Sequence, residues 1–344
     1  LQGRRESLGG YLPQREVACQ RIDPPPLELF ADLIAGTEGT DREISTTMVI
    51  VRMLAKLLRD KTIGRYIVPI VPDEARTFGM EGMFRQVGIY APEGQQYEPM
   101  DAADIMPYKE SARGQMLQEG INEDGAMSSW IAAATAYSNY GLTMMPFYIF
   151  YSMFGFQRIG DLAWAAGDLG ARGFLIGGTA GRTTLNGEGL QHEDGHSQLF
   201  AEFIPNCVSY DPTVHYELAV IVHDGMKRMF QDQENVFYYI TTMNENYAHP
   251  DMPEDAAEGI LKGLYRLSAA SGKKGAKRVR LMGSGTILRE AMAAAELLGD
   301  DFGIAAEVWS ATSFNELARD GRDCERYNRL HPEAEPKRSW VEQC

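Results

Sequence analysis

The sequence predicts an α/β fold: a mostly parallel sheet flanked by helices, followed by part of a second α/β unit. Three observations carry this expectation. The apolar runs RYIVPIV, PFYIFY, GFLIGG and VFYYITT are continuous rather than alternating, as in strands covered on both faces. Stretches of helical period separate them, the alternation that builds parallel sheets. Turn residues cluster at 249–254 (HPDMPE), and a fresh strand-helix-strand pattern follows, which puts a domain boundary there.

Taken in order, residues 1–27 are rich in Arg, Gly and Pro, end in Pro24-Pro25-Pro26, and read as an extended connector. The first unit spans 28–250. Ser45 or Thr46 caps a helix whose apolar positions Val49, Met53, Leu54, Leu57 and Leu58 recur at helical spacing. The strand RYIVPIV then stops at Pro72-Asp73-Glu74. A helix from Asn122 precedes the strand PFYIFY, the segment RIGDLAWAAGDLGAR, the strand GFLIGG and a glycine-rich loop. The strand PNCVSYDP, the helix HYELAVIVHDGMKRMF and the strand VFYYITT complete the unit. The second unit, 251–344, begins with KRVRLMGSG, TILREAMAAAELLGDD and IAAEVWSAT. With about two strands, against the roughly five or six of an ordinary sheet, it reads as truncated. The chain starts at Leu1 and shows no basic-then-apolar leader, so it reads as an internal piece of something longer.

Length and composition bound the function. The 344 residues suit two compact units, with 44% hydrophobic and 24% charged residues. No apolar run approaches the roughly 20 residues of a membrane span. A net charge of -15 disfavours nonspecific attraction to nucleic acid or anionic lipid, which leaves small molecules and other proteins as the expected partners. Cys19, Cys207, Cys324 and Cys344 lack CxxC spacing, so neither a zinc site nor a disulfide framework is expected, and a reducing, cytoplasmic setting fits.

Four stretches could carry chemistry. In LQEGINEDG, Asn122 is a good N-cap and Glu123 falls in the first turn of an uncharged helix, AMSSWIAAATAY. That placement serves ordinary capping; burial of the helix would also make Glu123 a useful acid. The cluster Phe147, Tyr148, Phe150, Tyr151, Phe154 and Phe156, ending in Gln157-Arg158, reads as core, yet Tyr151 and Phe154 fall near the strand's end, where α/β sheets hold their ligands. The loop 177–198 is not a phosphate P-loop, because Arg182 rather than Lys follows Gly181. It contains His192-Glu193-Asp194-Gly195-His196, a literal HExxH, but Gly187, Gly189 and Gly195 argue against the helix that zinc binding needs, so His192 reads as a substrate contact or a structural hydrogen bond. Asp73 and Glu74 sit at the carboxyl end of a strand, as active-site acids or as turn formers. The GSG at 283–285 is an incomplete dinucleotide signal.

PDEARTFGMEGMFRQVGIY, LQEGINEDGAMSSWIAAATAYS, PFYIFYSMFGFQRIGDLAWAAGD and RGFLIGGTAGRTTLNGEGLQHEDGHS together resemble the homodimeric, bacterial-type pyruvate dehydrogenase E1 family, and the likeness runs from Leu8 to the end. The resemblance implies a thiamin diphosphate enzyme of three α/β domains, of which this chain carries the pyrimidine-binding one and the start of the C-terminal one. It implies that Glu123, in the GxxE block after Gly120, hydrogen-bonds N1' of the aminopyrimidine and favours its imino tautomer, so that the thiazolium C2 becomes a carbanion. By the same matching, Ile121 resembles the apolar wedge that keeps the cofactor bent, and Phe154 the ring stacked on the pyrimidine. Tyr151 and His192 resemble residues that hydrogen-bond the bound 2-oxoacid, Asp73 and Glu74 acids lining that pocket, and Arg158 a support for the aromatic wall. The implied reaction is decarboxylation of pyruvate with acetyl transfer to the lipoyl group of the dihydrolipoyl acetyltransferase (E2). The family's diphosphate and Mg²⁺ motif, GDG to Asn, has no match here: the GDL at Gly160 and Gly167 lacks the second glycine. The Mg²⁺ ligands are therefore expected in an absent N-terminal domain, and the isolated chain is expected not to turn over. Another transketolase-like thiamin enzyme and a noncatalytic assembly module are the competing readings.

Overall fold

In the computed structural model, the described residues are 2–7, 20–100, 106–181, 190–270 and 275–344. Six strands, β1 (Ile67–Val71), β2 (Leu117–Gln118), β3 (Met145–Tyr151), β4 (Phe174–Gly178), β5 (Cys207–Tyr210) and β6 (Phe237–Thr241), form one sheet in the order β2-β1-β3-β4-β6-β5. Every neighbouring pair is parallel. The apolar runs are continuous because both faces are covered, and the period of two still sorts the side chains. Phe147 and Ile149 of β3 enter one core, while Tyr148 and Phe150 enter the other.

Helices α1 (Thr46–Leu57), α2 (Glu123–Ala134), α3 (Ser152–Leu169), α4 (Ser197–Glu202) and α5 (His215–Met226) supply those covers. α1 and α5 fill the first core with residues such as Val49, Leu218 and Ile221, and α2 and α3 fill the second with Trp130 and Ile159. α1 begins at Ser45, whose hydroxyl accepts the Met48 N–H at 3.1 Å.

Three expectations are revised. Residues Gln2–Ser7 form a helix rather than an extended arm, while 20–26 carry no regular structure and are tied to the body by the Ile22 N–H on the Phe230 carbonyl at 3.0 Å. Residues 8–19, with Cys19, and the loop at 182–189, with Arg182, Gly187 and Gly189, lie outside the described residues. The aromatic run does not end in strand: β3 stops at Tyr151 and α3 starts at Ser152, so Phe154 and Phe156 are helical. Gly155 permits this, because its missing Cβ leaves room for the Phe150 ring and lets α3 fold back onto its own strand.

Among the described residues, the second unit has three strands rather than two. β7 (Tyr265–Ser268), β8 (Arg278–Gly283) and β9 (Ala305–Ser310) run in the order β8-β9-β7, with β8 and β9 parallel and β7 antiparallel to β9. Helices α6 (Ala256–Lys262), α7 (Thr286–Phe302) and α8 (Phe314–Leu330) accompany them. The two units are joined by buried polar groups. Glu217, fully buried at the head of α5, accepts the Thr213 and Val214 N–H groups at 2.7 and 2.8 Å, the Tyr265 hydroxyl at 2.7 Å and the Ser310 hydroxyl at 2.6 Å. Burial raises the proton affinity of this carboxyl, against the opposing pull of those donors.

Candidate active site

The carboxyl end of a parallel sheet is where strand-to-helix connections can converge on a ligand. Here the end of β1 presents Asp73 and Glu74, and β3 ends at Tyr151. The first two turns of α3 present Phe154 and Arg158, the connection after β4 presents His192, and the head of α2 presents Ile121 and Glu123.

Local geometry fixes Glu123. Gly120 turns the chain with a φ of 78°, a conformation that costs glycine little. Asn122 caps α2 by accepting the Gly125 N–H at 3.0 Å. Glu123 then opens the helix, its side chain 13% exposed and ion-paired with the Arg158 guanidinium, which is 46% exposed. Arg158 follows Phe154 by four residues on α3, the spacing that stacks one side chain over another, and its guanidinium carbon lies 4.6 Å from the Phe154 ring centroid. Beneath Glu123, the Tyr148 hydroxyl donates to its carbonyl at 3.3 Å. Burial first, then the charges of Glu123, Glu74 and Asp124, push the Tyr148 phenol well above the usual tyrosine range.

The aromatic wall is continuous with this pair. Tyr151 lies 4.9 Å from the His192 ring and 6.4 Å from Phe154, and His192 lies 5.1 Å from Phe154. The structure thus brings together Glu123, Arg158, Phe154, Tyr151 and His192. Asp73 and Glu74 form a neighbouring group: Asp73 accepts the Gln118 side-chain amide at 2.8 Å, and its own N–H donates to Glu74 at 3.0 Å. Ile121 is 74% exposed at the mouth of this edge.

His192 ends a short turn and His196 precedes α4, so the two rings of the HExxH sequence do not share a helix face. Among the described residues, no three His, Cys, Asp or Glu side chains form a group that could hold a metal ion. None of the described helices is long and apolar enough to cross a membrane.

Three neighbours escaped the sequence reading. Phe78 packs on Tyr151 at 5.2 Å from a turn that carries no distinguishing pattern. Gln118 orients Asp73 across two strands, a pairing that only register reveals. Thr179, just past β4, adopts a φ of 57° and is 4% exposed, its hydroxyl without a partner among the described residues. The glycines at 177 and 178 hint at a tight connection there, but a strained β-branched residue has no sequence signature.

A flat heteroaromatic ring with a polar edge fits this arrangement. A carboxylate offers an acceptor, a phenyl ring offers a face beside it, and a planar cation already lies against both.

Comparison with known proteins identifies the family. Residues 26–250 match the family model "Pyruvate dehydrogenase E1 component middle domain", and residues 263–343 match the model of the transketolase-like C-terminal domain. The pyruvate dehydrogenase E1 component of Pseudomonas aeruginosa is 62% identical over 344 residues, covering 100% of this chain and 39% of that protein. The E1 component of Cupriavidus necator is 59% identical over 337 residues, 98% of this chain and 38% of that protein, and the Escherichia coli one is 59% identical over 345 residues, 100% and 38%. The chain therefore spans about two-fifths of the length of these relatives. Among solved structures, transketolase from Campylobacter jejuni aligns with a TM-score of 0.61 at 15% identity, covering 85% of this chain and 39% of that one. Transketolase from Leishmania mexicana aligns at 0.60 and 13%, covering 92% and 39%. These alignments bear on fold alone. With the middle-domain model matching most of its length and the transketolase-like C-terminal model following, the chain belongs to the pyruvate dehydrogenase E1 component family.

Proposed function

We propose that this chain forms the pyrimidine-binding half of a thiamin diphosphate site that decarboxylates pyruvate and passes the acetyl group to the lipoyl arm of a dihydrolipoyl acetyltransferase. The observation that carries the reading is the Glu123 carboxylate, shielded at the head of α2 and facing a planar group held on Phe154. When bound, thiamin diphosphate supplies a carbon nucleophile and an electron sink for loss of carbon dioxide.

This chain's own residues prepare that chemistry. The Glu123 carboxyl would hold a proton against N1' of the aminopyrimidine, and its position in a half-buried wall keeps bulk water from competing for that proton. Phe154 gives the pyrimidine a stacking face and Ile121 supplies apolar contact at the mouth, where its exposure leaves it available. Tyr151 and His192, with rings 4.9 Å apart, would hydrogen-bond the oxygens of the 2-oxoacid. Asp73 and Glu74 would line the same pocket from β1. This reading assigns no side chain here to Mg²⁺ and expects its ligands, like the diphosphate cradle, in an N-terminal domain outside this chain. The active form is a homodimer in the bacterial cytoplasm, with 1–27 as a connector, 28–250 as the pyrimidine domain and 251–344 as the start of the C-terminal domain.

The discriminating experiment supplies the full-length protein with thiamin diphosphate, Mg²⁺ and an artificial dye acceptor. Pyruvate-dependent dye reduction, with no ketol transfer between sugar phosphates, is the expected result. Sugar-phosphate transfer without pyruvate turnover would replace this reading by that of a transketolase.

A further inference from the structure

We propose that Asn315, a residue of the second unit, is a positioning residue for His192: it fastens the short helix that anchors the histidine's segment, and so sets the grip on the 2-oxoacid. This rests on the reading of His192 as a hydrogen-bonding partner of that substrate.

His192 closes a short turn (Leu190–His192), and the segment after it is tied down at α4. Two residues on, the buried Asp194 carboxylate accepts the His196 and Ser197 N–H groups at 3.1 and 3.0 Å and the Ser197 hydroxyl, which joins the segment to the first turn of α4. α4 has six residues, too few to hold a helix unaided, so its place is set by what it is bound to. One tie is its own side chain: Gln198 donates to the Tyr210 carbonyl at 2.9 Å and to the Thr241 hydroxyl at 3.3 Å. The other comes from across the junction. Asn315, in the first turn of α8 and 9% exposed, donates its amide to the Gln198 carbonyl at 2.7 Å and to the Ser209 hydroxyl of β5 at 2.6 Å. Both of its amide hydrogens are thus spent on the first unit. Further along α8, Arg322 pairs with Glu202 at the far end of α4.

α8 can serve as a fixed arm because its own head is held to β5. Ser313 caps α8 by accepting the Glu316 N–H at 3.0 Å and donates its hydroxyl to the Ser209 carbonyl at 2.6 Å, while Arg319 donates to the Cys207 carbonyl at 3.1 Å. The path from Asn315 to the site is therefore short: the amide holds the Gln198 carbonyl, α4 holds Asp194, and Asp194 holds the segment that carries His192. Loss of the amide would let α4 shift and carry the His192 ring away from Tyr151 and Phe154.

The test is steady-state turnover of pyruvate with a dye acceptor by the full-length protein with thiamin diphosphate and Mg²⁺, as wild type, Asn315→Leu, His192→Ala and the double variant. Leu is of similar size to Asn and offers no donor. Asn315→Leu should raise the KM for pyruvate about fivefold, the scale of one lost hydrogen bond, and leave the calorimetric affinity for thiamin diphosphate within about twofold. In the His192→Ala background the same substitution should change KM by less than about twofold, because the residue it positions is gone. Asn315→Ser, a smaller polar replacement, should shift KM in the same direction by a smaller factor, and carries the test if the Leu variant does not fold. An unchanged KM in both Asn315 variants, a cofactor affinity that falls in step with the rise in KM, or an equal effect with and without His192 would overturn the positioning role. Wild-type KM and kcat in His192→Ala would instead remove the reading of His192 as a substrate contact, and this inference with it.

Discussion

Lowering the pH should unpin the N-terminal segment from α5, because a pair of buried histidines holds it only when neutral. The rings of His215 and His249 stack 4.5 Å apart. His215 Nδ1 accepts the Tyr216 N–H at 2.8 Å and His249 Nδ1 accepts the His215 N–H at 3.3 Å, so each ring's proton sits on Nε2. From there the rings reach the Ala35 and Ile44 carbonyls at 2.9 and 2.8 Å. A second proton would face a backbone donor and add a cation beside another ring. Burial is the main cause that lowers His249 from 6.5 to about 4, with His215 and Arg289 adding to it and the Ile44 bond opposing. Burial lowers His215 as well, against the Ala35 bond and the charge of Asp251.

The sign follows from which state takes the proton first. With the folded value depressed, the unfolded chain protonates near 6.5 while the folded one stays neutral. Stability is therefore present above pH 6.5 and drains as the pH falls toward about 4. Each unit is worth about 1.4 kcal/mol, so His249 alone contributes a loss of roughly 3 kcal/mol across that window. Urea unfolding of wild type and His249→Gln at a series of pH values isolates this from the titration of carboxylates. The variant should be weaker at neutral pH and have the flatter profile between about pH 6.5 and 4.5. Parallel profiles would refute the argument.

Other outcomes follow from the packing and the site. Glu217→Gln should destabilise the joint between the two units by about 2–4 kcal/mol, because an amide oxygen and two surplus N–H groups replace a carboxylate that serves four donors; denaturant unfolding should then separate into two transitions. Gly155→Ala should cost about 1–3 kcal/mol or more, since the added methyl overlaps the Phe150 ring, and an unchanged melting temperature would contradict the packing of α3 on β3. The 344-residue chain alone should not decarboxylate pyruvate even with thiamin diphosphate and Mg²⁺, because the diphosphate cradle is assigned to the uncovered part of the relatives. Measurable turnover by the chain alone would show that assignment to be wrong.

Much of this architecture is written locally and can be read without coordinates. β3, β4 and β6 are apolar runs bounded by turn residues, and the start of α2 is signalled by Gly120 and Asn122 because capping chemistry is a short-range affair. The boundary between β3 and α3 is illegible for the opposite reason. Aromatic residues continue through it without a proline or polar cap, and only the approach of Gly155 to Phe150 explains where the strand gives way. β7 has four residues, two of them exposed at a sheet edge, too few to show a period. In the site, the individual residues stand out by type, but their partners do not. Glu123 and Arg158 are 35 positions apart and meet because α2 and α3 pack side by side; Asp73 and Gln118 meet because β1 and β2 pair in register.

The central claim is that the Glu123 carboxyl acts on the pyrimidine ring, and substitution of that one oxygen tests it most directly. Steady-state turnover of pyruvate by the full-length Glu123→Gln protein, measured at saturating cofactor and substrate, should fall at least about 100-fold, the scale of a lost general acid-base group. Turnover equal to wild type under those conditions would contradict the account.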